Sequence, residues 1–197
     1  MRGSWESFGV TTGVLVGVGV VAALALLVVV VAVLGGMRRA LRLTPLVLLA
    51  MTTVTILVAT LGFSVGDPDA PGGINIEPFV EIRRGLRAGA SDAVAANVWG
   101  NVAMFVPLGF LLMWLWTSPL IARVIMATVA GTGLSIIIEL AQLTLGRVAD
   151  IDDVILNGAG ALLGAAVGMV AVLLWRFGSW LVRLARGRRQ SPTTGRT

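Results

Sequence analysis

The chain contains no cysteine, no histidine and no tyrosine, and all 15 of its basic residues are arginine, so lysine is missing too. Each absence removes chemistry. Without cysteine there is no disulfide framework and no thiolate nucleophile. Without histidine, Ser-His-Asp and Cys-His mechanisms and imidazole metal sites fall away. Without lysine there is no Schiff base. Charge of either sign is scarce, at 13% of 197 residues. Any chemistry here must use carboxylates, amides, hydroxyls, arginines or a cation held by oxygen.

What the chain has in abundance is apolar sequence: 57% of residues, with a mean hydropathy of +0.94. Five runs are long enough to cross about 30 Å of hydrocarbon at 1.5 Å per residue. They are Val10–Leu34, Leu43–Phe63, Val98–Trp116, Leu120–Leu143 and Val154–Trp175. A soluble five-helix bundle is excluded by the first run, which carries no charge and no polar stripe wider than Thr11 and Thr12. That run is also too long, and lacks the flanks, for a cleaved signal peptide. The predicted fold class is all-α, a polytopic membrane bundle of about five transmembrane helices. Two spans occupy residues 1–63, an extracytoplasmic loop 64–96, three further spans lie within 74–175, and a basic cytoplasmic tail covers 176–197.

The arginines set an orientation. Ten of them lie between the first two spans (Arg38, Arg39, Arg42), between the third and fourth (Arg123), and after the fifth, from Arg176 to Arg196. The other side holds five arginines and every acid. The positive-inside rule counts basic residues and so predicts the N-terminus outside and the C-terminus inside. The arginines after the last span are interleaved with Trp180, Leu181 and Leu184, a pattern that suits anionic lipid headgroups and not nucleic acid. In the outer loop, GDPDAPGG forbids regular structure. The FVEIRRGLRAG that follows is either a short helix along the interface, interrupted by Gly85, or an irregular loop.

Orientation places the intramembrane polar residues by depth. Asn97 and Asn101 share a face of the first turns of the third span, and Glu139 and Gln142 share one in the last turns of the fourth. In DIDDVILN, Asp150 or Asp152 can cap the fifth span, and Asp153 and Asn157 share a face of its first turns. Three helices thus bring polar pairs to one outer level, with Arg147 as the available counter-charge. Below Glu139, the series Ala127, Gly131, Ser135 runs at a spacing of four; Gly160, Gly164, Gly168 and Gly9, Gly13, Gly17 repeat that spacing and read as packing seams. Pro107 interrupts the third span and predicts a kink.

These residues resemble a known family. NVWGNVAMFVPLGF from Asn97, with Pro107 and Gly109, is followed by ELAQ from Glu139 and by RVADIDDVILNGAGALLG from Arg147 to Gly164. Together with INIEPF at 74–79, this ordered set is similar to the VanZ-like family of small bacterial membrane proteins, over roughly residues 74–168. The resemblance implies a multi-pass protein of the bacterial cell membrane associated with resistance to glycopeptide antibiotics, teicoplanin in particular, by a mechanism it does not supply. The chain departs from the family pattern at Gly158, where a small hydroxyl residue is expected.

Three classes of function follow. The first is a binding or modulating protein whose outward pocket (Asn97, Asn101, Glu139, Gln142, Arg147, Asp150, Asp152, Asp153, Asn157) engages a lipid headgroup, a lipid-linked wall precursor or a glycopeptide. The second is a membrane enzyme on such a headgroup, with Glu139 and Asp153 as catalytic candidates. The third is a structural polar cluster that pins the helices. No cofactor is predicted; a divalent cation is compatible with the carboxylates, although no metal set can be named. A clear nucleophile is missing, since Ser135 lies a turn below Glu139 and Thr144 a turn above. One polar layer with no inner counterpart offers no alternating-access path.

Overall fold

The computed structural model describes residues 26, 30, 37–61, 73–87, 89 and 91–189. Its elements are α1 (Met37–Leu61), β1 (Ile74–Asn75), α2 (Val80–Gly85), α3 (Asp92–Met113), α4 (Leu120–Thr144), β2 (Ala149–Asp150) and α5 (Ile151–Arg189). The first expected span, Val10–Leu34, and the glycines at 9, 13 and 17 lie outside the described residues, apart from helical positions 26 and 30.

Helices α1, α3, α4 and α5 are each long and apolar enough to cross a membrane. Three boundaries differ from expectation by six residues or more. Helix α1 starts at Met37, six residues before Leu43. Helix α3 starts at Asp92, six residues before Val98, with Ser91 extended ahead of it. Helix α5 does not stop at Trp175 but continues through the basic tail to Arg189. That tail has no proline before Arg189, and arginine and leucine propagate a helix well. Its 39 residues span about 58 Å at 1.5 Å per residue. That length exceeds a hydrocarbon core of about 30 Å, so part of α5 projects beyond it.

The side-chain distribution is the reverse of a soluble bundle. Ile121, Ile125, Val129, Ile137 and Leu140 of α4, and Leu162, Leu163, Val167, Val170 and Leu174 of α5, are exposed. Asn101, Ser135, Glu139, Gln142, Asp152 and Asn157 are buried. Apolar surfaces this extensive belong against lipid.

The tightest contact is between α3 and α5. A methyl group added at Gly109 would overlap the carbonyl of Ala161, one at Gly160 that of Val102, and one at Gly164 that of Val106. Only a glycine hydrogen fits there, and it points at the neighbouring carbonyl oxygen, a weak Cα–H···O contact. Gly131 extends the seam to α4, since a Cβ there would lie 2.5 Å from that of Ala161. Two buried clusters fill the interior: Ile56, Phe105, Leu108 and Ile138, then Met113, Ala127, Ala165 and Val172 further along. Pro107 lies inside α3 with its ring exposed, away from that core.

At the opposite end from the basic tail, the loop before α3 docks onto the start of α5. β1 and β2 pair in parallel, Ile74 with Ala149 and Asn75 with Asp150. Helix α2 resolves the two readings of FVEIRRGLRAG in favour of a short helix, which ends at Gly85. A Cβ on Gly85 would come within 2.6 Å of Val98 Cγ2, so this glycine lets α2 press against α3.

Candidate functional site

The site is assembled at the ends of four helices. Helix α4 ends in a Schellman turn: the Gly146 N–H donates to Leu143 O at 3.2 Å and the Arg147 N–H to Gln142 O at 3.1 Å. Gly146 has φ +73°, the left-handed conformation that the turn requires and that glycine adopts without strain. The turn folds the chain back and sets Arg147 over Gln142. Both side chains then donate to one acceptor, the carbonyl of Thr60, at 3.1 Å from Gln142 Nε2 and 3.2 Å from Arg147 Nη1. Thr60 lies in the last turn of α1, where carbonyls have no partner within the helix, so two side chains from elsewhere satisfy it.

Helix α5 begins with a cap. The Asp152 N–H donates to Asp150 Oδ1 at 2.8 Å, and Asn75 Nδ2 donates to Asp150 Oδ2 at 3.0 Å. The Asp150 N–H itself donates to Glu139 Oε2 at 2.9 Å, which ties the end of α4 to the start of α5. On the next faces, Asn101 Nδ2 donates to Asp153 Oδ1 at 2.6 Å, and Asn157 Nδ2 donates to Ser135 Oγ at 2.9 Å.

These residues surround one cavity of about 200 Å³. Its walls are Asn97, Asn101, Glu139, Gln142, Arg147, Asp153 and Asn157, together with Ala59, Thr60, Met104 and Ile138. Asn97 is exposed and Asn157 is only 2% exposed, so the lining runs from the protein surface into its interior. Asn157 Oδ1 is buried and has no hydrogen-bond partner.

The structure separates the carboxylates that the sequence groups together. Asp150 and Asp152 do not line the cavity. Asp150 is the helix cap described above. Asp152 is fully buried and accepts the backbone N–H groups of Phe79, Glu81 (2.7 Å) and Ile82 (3.2 Å), so it holds the start of α2. Three N–H donors satisfy that buried charge, as a phosphate is satisfied at a helix start. They also hold Phe79 at φ +67°, an unusual backbone for a non-glycine residue. Nor does Arg147 close on Glu139. The one ion pair among the described residues joins Arg84 to Glu81 on α2.

Two contributors were missed in the sequence. The end of α1, through Ala59 and the Thr60 carbonyl, forms a wall that no polar side chain advertises. Gly146 was readable, as a glycine just past the last periodic residue of a helix. Chemically, the cavity offers two carboxylates, four amides and one guanidinium. Among the described lining residues the sole hydroxyl belongs to Thr60, and it donates to Ile56 O at 2.8 Å. No group of three or more Asp, Glu, His or Cys able to hold a metal occurs among the described residues.

The fold and cavity together define an α-helical membrane protein with a polar, charge-lined chamber at one end of its bundle. The chain belongs to the VanZ/LLP1 family, whose model matches residues 43–175. The match begins before the residues that carried the resemblance and takes in the apolar part of α1, the helix that supplies the Thr60 carbonyl. No curated protein and no solved structure matches the chain.

Proposed function

We propose that this protein binds the small polar headgroup of a cell-envelope lipid in the cavity, which opens to the outer side of the bacterial cell membrane. The observation that carries this reading is Asn157. It lines the cavity, is almost wholly buried, and leaves Oδ1 without a donor. An unsatisfied buried acceptor costs about 1–3 kcal/mol, so the site favours a ligand that donates there. A purely structural cluster would satisfy its members on one another. Here the opposite charges stay apart.

Size narrows the choice of ligand. A volume near 200 Å³ is below the roughly 300–1,000 Å³ of pockets that enclose drug-sized molecules. A whole glycopeptide therefore does not fit inside, whereas a headgroup does, with its acyl chains left against the exposed apolar faces of the helices. Any effect on a glycopeptide is then indirect, through the lipid that the protein holds. The outward opening follows from the arginine count, and a reporter active only outside the cell, fused at Thr197, is expected to stay silent.

The test is thermal melting of the purified protein with phosphatidylethanolamine, phosphatidylglycerol, cardiolipin or undecaprenyl phosphate, beside Ala59→Phe and the milder Ala59→Leu, which fill the cavity. A headgroup-selective rise in Tm that the filled variants lose is the expected result. An equal rise for every lipid, or an unchanged response in both variants, refutes the proposal.

A further inference from the structure

We infer that the headgroup is a zwitterion, a primary ammonium seated between Glu139, Asp153 and Asn157 with its phosphate on Arg147. This rests on the headgroup reading above and specifies its chemistry.

Opposite charges line the same space without forming an ion pair. Arg147 donates to the Thr60 carbonyl and comes within 4.0 Å of neither carboxylate. Its guanidinium has five N–H donors, and one hydrogen bond leaves most of them available. Glu139 uses Oε2 for the Asp150 N–H, and Asp153 uses Oδ1 for Asn101. Glu139 thus keeps an oxygen for the cavity, and Asp153 presents its second oxygen beside the Asn97 amide, which lines the same cavity. Asn157 lines the cavity and its Oδ1 has no donor and almost no accessible surface, so a small turn of that side chain toward the cavity supplies a third acceptor. A primary ammonium has three donors and one positive charge, matching three acceptors of which two are charged.

Other occupants match less well. A purely anionic headgroup would be held by Arg147 but would face two carboxylates, and would leave Asn157 Oδ1 unsatisfied unless a hydroxyl reached it. A divalent cation meets only two carboxylates, in a chamber that a guanidinium also lines. A quaternary ammonium carries the charge but has no N–H to donate.

Binding of short-chain phosphatidylethanolamine, phosphatidylcholine and phosphatidylglycerol to the purified protein is measured by native mass spectrometry. Phosphatidylethanolamine is expected to bind about tenfold more tightly than either of the others, the scale of one lost charge-assisted hydrogen bond. Glu139→Gln and Asn157→Leu are expected to erase that preference while phosphatidylglycerol binding persists. Phosphatidylcholine binding as well as phosphatidylethanolamine overturns the primary ammonium, and phosphatidylglycerol binding as well as or better than phosphatidylethanolamine overturns the zwitterion; in either case a headgroup site still stands if filling at Ala59 abolishes the binding. No preference among lipids together with no effect of filling removes both readings. The wild-type lipid series decides the matter even where a variant fails to fold. Competition by free O-phosphoethanolamine separates the sources: displacement shows that the soluble headgroup suffices, and retention shows that the lipid is required, the ammonium–phosphate chemistry holding in either case.

Discussion

The α3/α5 seam and the cavity are built from the same helices and obey opposite rules. Along the seam, Gly109, Gly160 and Gly164 bring backbone against backbone, and Phe105, Ala161 and Ala165 are completely buried. Nothing polar is left over. One or two turns away, Asn101, Asp153, Glu139 and Asn157 stand around open space with no ion pair formed among the charges there and an acceptor unpaired. Lipid supplies no hydrophobic drive to hold helices together, so close packing in the seam has to carry the fold. That frees the cavity end to keep groups that are poor for stability and suited to a ligand.

The largest effect is expected for Gly164→Leu. Its side chain must displace the Val106 carbonyl and the Phe110 backbone, at a cost of about 3 kcal/mol or more. The expected outcome is loss of monodisperse protein in detergent. A well-folded Gly164→Leu with an unchanged Tm would show that the seam is not what holds α3 to α5.

A smaller and more local effect is expected for Asp152→Ala. Three backbone N–H groups lose their acceptor, about 2–3 kcal/mol for bonds to a buried charge. The loss should appear as faster hydrogen exchange at Phe79, Glu81 and Ile82, with protection in the seam retained. Equal loss of protection in both regions would mean that the docked loop and the seam unfold as one unit.

Glu139→Gln sharpens the contrast from the other side. Gln keeps an oxygen for the Asp150 N–H, and interhelical hydrogen bonds in membranes average only about 0.6 kcal/mol, so Tm should stay close to wild type. The lipid preference, and any survival phenotype under a glycopeptide, should vanish. A variant that melts far lower would make Glu139 a structural residue. The smallest effect belongs to Gly133→Ala: a Cβ there meets nothing within 4 Å, and the expected change is neutral to about 1 kcal/mol stabilising. A Tm drop comparable to that of Gly164→Leu would mean that glycine content, and not the seam, sets stability.

Much of the site is legible in the sequence because helix periodicity is strict. The pairs Asn97/Asn101, Glu139/Gln142 and Asp153/Asn157 share faces by spacing alone, and alternation of the spans brings them to one level. Asp152 and Asp153 show where that logic ends. Adjacent residues point about 100° apart on a helix, so periodicity separates their faces but does not say what each face meets. Only the position of α2 makes Asp152 a cap and leaves Asp153 in the cavity. Thr60 was illegible for a different reason: its contribution is a backbone carbonyl, which every residue has.

By itself, then, the sequence determined the class of chemistry, the membrane-crossing helices from Leu43 onward and the faces on which polar residues gather, because composition and period act locally. The tertiary structure decided which charges meet. Whether Arg147 paired with Glu139 or with a carbonyl of α1, and whether Asn157 Oδ1 found a donor, depended on where residues 22 to 87 positions apart came to rest. Those distances are set by the seam, whose glycines fix how closely the helices approach, and no local pattern at the polar residues encodes them.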